Sequence, residues 1–367
     1  MKLSMLSILL LLFPQEILVH AFSGSILTLE TLVSSARVFS DFQPELATEE
    51  RTTTVVLIKS SVSHFNRRQA VRDTWSCESC LSPSFASVFV LGRSSDPLVM
   101  AFVREEQSTY RDLLMGDFED TYYNLTLKTV FALTWMRSHH PSKWLLYVDD
   151  DAVVNLSSLG RFVSDLQAES RGCNQQRMYC YSQQHAPVSR DVDSKWFVGP
   201  EVYPNEHYPA YCSGLATLMP PSVVARLRDA SLHPETQPKL WIDDVFVTGI
   251  ASAAANVSIV SSPLFDAAFH ASVCQVERFS NKIAVGQFDS EEIRHFWSQV
   301  HPRHSLARVR TSLLCRLMDS SANRILAFLL ACNVVAFLVL LSFLWRSRCL
   351  GFSSPLCLPF LRRNRGD

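Results

Sequence analysis

An unbroken apolar run, Trp144-Leu-Leu-Tyr-Val148, stops abruptly at three carboxylates, Asp149, Asp150 and Asp151. A run this short with aromatic and β-branched members predicts a strand buried on both faces. Upstream, the β-branched Thr52–Ile58 predicts another strand. Asn66 then stands where it can cap a helix over Arg67–Trp75, with Ala70, Val71, Thr74 and Trp75 on one face and Arg68 and Arg72 on another. Ser87–Leu91 predicts a second strand, and Leu127, Val130, Phe131, Thr134 and Trp135 recur at helical spacing. Strands alternating with helices predict an α/β fold, a mostly parallel sheet with helices on both faces. Further on, residues 200–221 carry Pro, Tyr and Gly and read as loops around an extended segment at Gly214–Met219.

The two ends have a different pattern. Lys2 precedes a short apolar run that leads to Val19-His20-Ala21, which predicts a signal peptide over residues 1–21. Ile325–Trp345 is uncharged and long enough to span a bilayer, which needs about 20 residues. The expected order is therefore a stem at 22–50, a lumenal domain at 51–300, a juxtamembrane segment at 301–324, a transmembrane helix at 325–345 and a cytosolic tail at 346–367. Three Asn-X-Ser/Thr sequons, at Asn124, Asn155 and Asn256, agree with a lumenal domain. So do Cys77, Cys80, Cys173, Cys180, Cys212 and Cys274, an even set for which disulfides are the default in an oxidising compartment, with 15 connectivities open. The net charge of −1 without a basic block gives no reason to expect a nucleic-acid partner.

Ligands of open α/β sheets bind beyond the carboxyl ends of the strands, where the three acids stand. Strand alternation sends Asp149 and Asp151 to one side and Asp150 to the other. Oxygen ligands at such spacing select a hard cation, Mg²⁺, Mn²⁺ or Ca²⁺; the competing reading is an acidic turn or helix cap. An EF-hand does not fit, because Val153 and Asn155 occupy ligand positions and the turn glycine is missing. Arg68 and Arg72, directly after the first strand, stand where a diphosphate would be met. A second acidic pair, Asp243-Asp244, precedes another apolar run, and one of its members is a candidate general base or a helix cap. His270 is a candidate metal ligand or a core histidine. Trp196, Tyr203, Tyr208 and Tyr211 could wall a sugar site or fill a core. Cys77 and Cys80 lack both a second pair for zinc and a helix to open for redox work.

Six segments, in order, resemble the β-1,3-galactosyltransferase and β-1,3-N-acetylglucosaminyltransferase family. They are RRQAVRDTW (67–75), VFVLGRSSD (88–96), GDFEDTYYNLTLKT (116–129), LLYVDDDAVVN (145–155), KWFVGPEVYPNEHYPAYCSG (195–214) and DDVFVTGI (243–250). The resemblance covers about residues 53–275. It implies a GT-A type nucleotide-sugar-binding fold, Mn²⁺ dependence, a UDP-sugar donor and inversion at the anomeric carbon. Residue by residue, it implies that Asp149 and Asp151, with His270, hold the metal and that Asp244 is the catalytic base. Arg68, Arg72, Lys128, Asp149 and Asp150 would meet the donor, and Trp196, Tyr203, Tyr211, Gly214 and Asp243 would lie on the acceptor side. Asp243 stands in place of the usual Glu, Ala210 of a Pro and Leu215 of a Gly, and the family's anchor is N-terminal, whereas this chain's is C-terminal.

The function expected is an inverting hexosyltransferase moving galactose or an N-acetylhexosamine to the 3-hydroxyl of a glycoprotein or glycolipid acceptor, membrane-anchored in the Golgi or ER. The alternative is a non-catalytic lumenal chaperone or glycan-binding relative on the same fold.

Overall fold

The computed structural model describes residues 40–45, 51–77, 82–169, 176–233, 240–268 and 278–300. Four strands alternate with three helices in its first half: β1 (Thr54–Lys59), α1 (Phe65–Asp73), β2 (Phe85–Arg93), α2 (Pro97–Tyr110), β3 (Leu113–Glu119), α3 (Leu125–His139) and β4 (Trp144–Asp149). The first five residues of β1 and of β4 are buried, as a sheet covered on both faces requires. β1 pairs in parallel with both β2 and β4, and β2 with β3, so all four strands end at one edge of the sheet.

Several elements lay outside the sequence expectations although their signals are local. Asp96 caps α2 by accepting from the Leu98 N–H at 2.8 Å, Pro97 opens the helix, and Arg111 closes it in the left-handed region at φ 53°. Helix α1 starts at Phe65, with His64 as the residue before it, so Asn66 lies inside the helix and caps nothing.

After β4, a short strand β5 (Val153–Val154) leads into α4 (Leu156–Glu169) and β6 (Arg177–Gln183). Then come β7 (Tyr211–Met219), α5 (Pro221–Ser231), a π-helix over Asp244–Ala251 and β8 (Ser258–Ser261). The main sheet has the order β3-β2-β1-β4-β7-β6-β8. β7 is antiparallel to β4 and β6 and the other pairs are parallel, so the sheet is mostly parallel as expected. Because β7 runs backwards, its first residues project past the end of β4. A small second sheet, β5-β10-β9, built with Phe265–Asp266 (β9) and Ala284–Val285 (β10), holds the chain as it leaves the acids.

The main core lies between one face of the sheet, α3, α5 and the π-helix, with Phe131, Met136, Val224, Leu227 and Phe246 almost fully buried. A last helix, α6 (Ser290–Val300), is joined to α1 by the Arg294–Asp73 ion pair at 3.1 Å. Part of the expected stem packs on this domain: Phe42 is buried, and the Glu45 N–H donates to the Arg111 carbonyl. The signal peptide, the rest of the stem and residues 301–367, with the expected transmembrane helix, lie outside the described residues. Among the described residues no helix is long and apolar enough to cross a membrane.

Of the connectivities left open, Cys180–Cys212 is formed, joining β6 to the first turn of β7, and Cys77 is also disulfide-bonded. Cys212 is further held by Thr248, whose Oγ1 accepts from the Cys212 N–H at 2.9 Å. The bond thus fixes the strand that passes the acids. Cys212→Ser should lower stability to denaturant by about 2–4 kcal/mol; an unchanged unfolding midpoint would show that β7 is held without it.

Candidate active site

The parallel register of β1 and β4 sets Lys59 directly beside Asp149. The Lys59 ammonium lies 3.0 Å from the Asp149 carboxylate and 3.0 Å from that of Asp243, which arrives from the start of the π-helix. Asp243 is buried and also accepts from Thr129 Oγ1 at 2.6 Å. Burial would lower the Lys59 pKa, but the charges of Asp149 and Asp243 raise it well above the ordinary lysine value. One buried cation thereby joins the two acidic motifs, which are almost a hundred residues apart in sequence.

The acids differ in environment. Burial alone would raise Asp150, yet hydrogen bonding with His64 Nδ1 (2.9 Å) and Ser60 Oγ (2.6 Å) and the charge of Arg67 (3.1 Å) hold it below the ordinary carboxylate range. Asp243 is held low against burial by Lys59 and Thr129. Asp149 is pushed up to about 8 by burial and by the charges of Asp151 and Asp243, with Lys59 opposing. Burial and the Asp150 charge raise Asp151. Asp244 is pushed up to about 7 by burial and by the neighbouring Asp243 charge. Two carboxylates are therefore fixed anions, while the other three stay raised, Asp149 despite its contact with Lys59.

All five line one cavity of about 1070 Å³. Gly214, at the projecting start of β7, forms part of its wall. A Cβ there would stand 3.2 Å from Asp149 Oδ2 and 3.9 Å from Asp244 Oδ2, so glycine lets the strand pass between the two acids. Tyr208 and Tyr211 also line the cavity, and burial pushes each hydroxyl up to about 12, the Asp244 charge adding to the effect. Trp196 stands at its mouth, half exposed, with Lys195 Nζ 4.2 Å above its ring.

Arg68 and Arg72 are not on this surface. Arg68 is fully buried, forked onto Glu106 and donating to the Ser61 and Val62 carbonyls. Arg72 is held by Asp112 and Glu106 and stacks between Phe89 and Tyr110. The expectation that they meet a diphosphate is corrected: both are structural, and Arg67, whose helical position turns it to the cavity, is the arginine present there. Lys128 reaches the cavity wall but its ammonium is committed to Asp120 at 2.6 Å and the Ser60 carbonyl at 2.5 Å. Asp120 in turn accepts from the Val62 and Gly92 N–H groups, knotting the ends of β1 and β2 to α3. Tyr203 packs on Tyr208 at 5.2 Å instead of forming cavity wall, and Asp243 anchors Lys59 instead of facing an acceptor alone.

His270 lies outside the described residues. Of the sequon asparagines, Asn124 donates to the Glu119 carbonyl, and Asn155 caps α4 through Ser158 N–H while donating to the Phe279 carbonyl. Asn256 is exposed on a turn at φ 53°.

Lys59, His64, Arg67, Tyr122 and Trp241 are on the cavity wall without having been among the site residues expected from the sequence. Lys59 had a legible signal, as a lysine closing an apolar strand. The others become visible only once the loops converge.

Residues 66–263, more than half of the 367, match the family model described as Galactosyltransferase. The chain belongs to the galactosyltransferase family. It is 29% identical to beta-1,3-galactosyltransferase 1 of Homo sapiens over 69% of this chain and 75% of that protein. Human beta-1,3-galactosyltransferase 2 is 28% identical over 70% of this chain and 61% of its own length. Among solved structures, the WbbM bifunctional glycosyltransferase covers 71% of this chain and 51% of its own, with 10% identity and a TM-score of 0.37, too low to bear on the fold. Membership of the galactosyltransferase family supports a glycosyltransferase.

Asp149 and Asp151 are the side chains suited to a hard cation, being oxygen donors in the cavity whose charge Lys59 and Arg67 offset only in part. Among the described residues no three His, Cys, Asp or Glu side chains converge as a ready cage.

The arginine assignments separate in experiment. With UDP as a diphosphate probe in calorimetry, a diphosphate role for Arg67 predicts that Arg67→Ala weakens its binding while leaving the melting temperature nearly unchanged. Arg68→Ala should leave the buried Glu106 with Arg72 as its cation and lower stability by about 1–3 kcal/mol. The opposite pattern would restore the diphosphate role to Arg68.

Proposed function

We propose that this chain is an inverting, divalent-metal-dependent glycosyltransferase that moves galactose or an N-acetylhexosamine from a UDP-sugar to the 3-hydroxyl of a glycoprotein or glycolipid glycan. Its place is a membrane of the secretory pathway, with the catalytic domain lumenal. The observation that carries this is Asp244: a carboxylate raised to about 7 in the cavity, across Gly214 from the acids that end β4. A base poised near neutrality can take a proton at working pH. The family and the β-1,3-galactosyltransferase relatives support the donor and linkage.

In the reaction, an acceptor hydroxyl placed against Asp244 gives its proton to the carboxylate as its oxygen bonds to the anomeric carbon. The bond from that carbon to the UDP oxygen breaks on the opposite face, and UDP leaves with the electron pair. Arg67, beside Asp150, is placed to meet diphosphate charge. Lys59 holds Asp149 and Asp243 at fixed separation, so the base and the donor side keep their spacing. Asp149 and Asp151 would hold a divalent metal such as Mn²⁺, which would supply Lewis-acid neutralisation of the leaving diphosphate.

Asp244→Asn should lower kcat by about 10²–10⁴ with UDP affinity kept; loss of UDP binding would make Asp244 a donor contact. In the native enzyme kcat/KM should rise with pH through about 7 as Asp244 ionises. The sign for stability is the reverse. The folded state holds this proton more tightly than the unfolded chain, whose value is near 3.8, so the contribution is lost as pH rises through about 7. The inactive Asn variant should therefore be more stable than the native protein at pH 8.

Asp151→Ala should abolish Mn²⁺-dependent UDP binding, measured by calorimetry with and without the metal. Binding that is retained would remove the metal role from this residue.

A further inference from the structure

Beyond Asp244 the cavity opens onto aromatic side chains that the chemistry of transfer leaves unused. Tyr122 and Trp241 line its mouth with ring centroids 4.9 Å apart, and Tyr123 lies against Trp241 at 5.5 Å. Tyr122 is 41% exposed and Tyr123 72%, an unusual placement for large rings unless they meet something from solvent. Their supports are rigid. Leu240, just before Trp241, is buried and its carbonyl accepts from Thr126 Oγ1 at 2.8 Å, and the turn carrying the tyrosines is tied by the Thr121 carbonyl to the Asn124 N–H at 3.1 Å. Trp196 hydrogen-bonds the Tyr122 side chain from across the mouth.

The order of these groups follows from Asp244. Tyr122, Tyr208 and Tyr211 share the cavity wall with Asp244, and its charge reaches each of them. Tyr123 is not part of the cavity wall and projects outward from Trp241. A pyranose offers an apolar face of C–H groups, slightly positive, which fits the negative face of an aromatic ring. A sugar resting on Trp241 and Tyr123 would lie one ring further out than the reacting one.

We propose that Trp241 and Tyr123, with Tyr122 between them and the base, form an outer acceptor subsite that stacks the sugar preceding the acceptor's terminal residue. The enzyme then prefers oligosaccharide acceptors of at least two rings over monosaccharides. This rests on the transferase reading above.

The test uses the full-length chain in detergent, with UDP-galactose and UDP-N-acetylglucosamine as donors. Acceptors are methyl β-galactoside against methyl β-lactoside, and methyl β-N-acetylglucosaminide against methyl β-chitobioside. The disaccharide of the active pair should have a KM about 3–10-fold lower than its monosaccharide, the range for one aromatic stack. Tyr123→Ala and Trp241→Ala should erase that advantage by raising the disaccharide KM with kcat little changed, and Tyr123→Phe and Trp241→Phe should keep it. Equal KM values within the pair, or an advantage that survives both alanine changes, overturn the subsite while the transferase stands. Tryptophan fluorescence titrated with the same glycosides needs no turnover. A disaccharide-dependent change lost in Tyr123→Ala supports the subsite even if no donor is consumed, in which case the transferase reading falls instead; no change with any glycoside and no turnover overturn both.

Discussion

The arrangement depends on one buried ammonium. Lys59 ends β1 in register with Asp149, and its 3.0 Å contacts to Asp149 and Asp243 bind the parallel half of the sheet to the π-helix. A buried lysine without partners would shed its proton, and buried carboxylates without a cation would keep theirs. Lys59 and Asp243 make each other's charged form tenable, while Asp149, which also faces the charges of Asp151 and Asp243, stays raised to about 8. The pairing also fixes where Asp244 stands, because it is the next residue after Asp243 and its own carboxylate accepts from the Val245 N–H at 2.8 Å.

Around this pair the site separates acids with a structural task from acids left reactive. Asp150 and Asp243 are saturated by hydrogen bonds and cations and stay below the ordinary range. Asp149, Asp151 and Asp244 are half-buried on the cavity wall and less fully compensated, so burial and neighbouring carboxylates raise them. Groups of one chemical type driven apart in this way are what acid–base and metal chemistry at one site needs. A second knot, Asp120 with Lys128 and the Val62 and Gly92 amides, holds the loop after β1 that leads through His64 into α1 and Arg67. Asp120 also opens the turn after β3 that presents Tyr122 and Tyr123, so these two parts of the cavity wall share one support.

The sequence by itself determined the alternating α/β character, the buried strand ending in Asp149–Asp151 and the second acidic pair, Asp243-Asp244, because apolar runs and crowded carboxylates are local patterns. It also carried the family, through six ordered segments, and the family model matches residues 66–263. Helix α2 was legible in principle, since Asp96-Pro97 is a start signal, whereas the backwards course of β7 was not. Only the tertiary structure decided which basic residues face the cavity. Arg67, Arg68 and Arg72 lie on one short helix, and spacing cannot say that Glu106 and Asp112, from a different helix and strand, claim two of them. The same holds for Cys180 and Cys212, and for Tyr122 beside Trp241, which meet across more than a hundred residues. Periodicity reports which side of an element is apolar; the partner on its polar side comes from elsewhere in the chain, and only folding brings the two together.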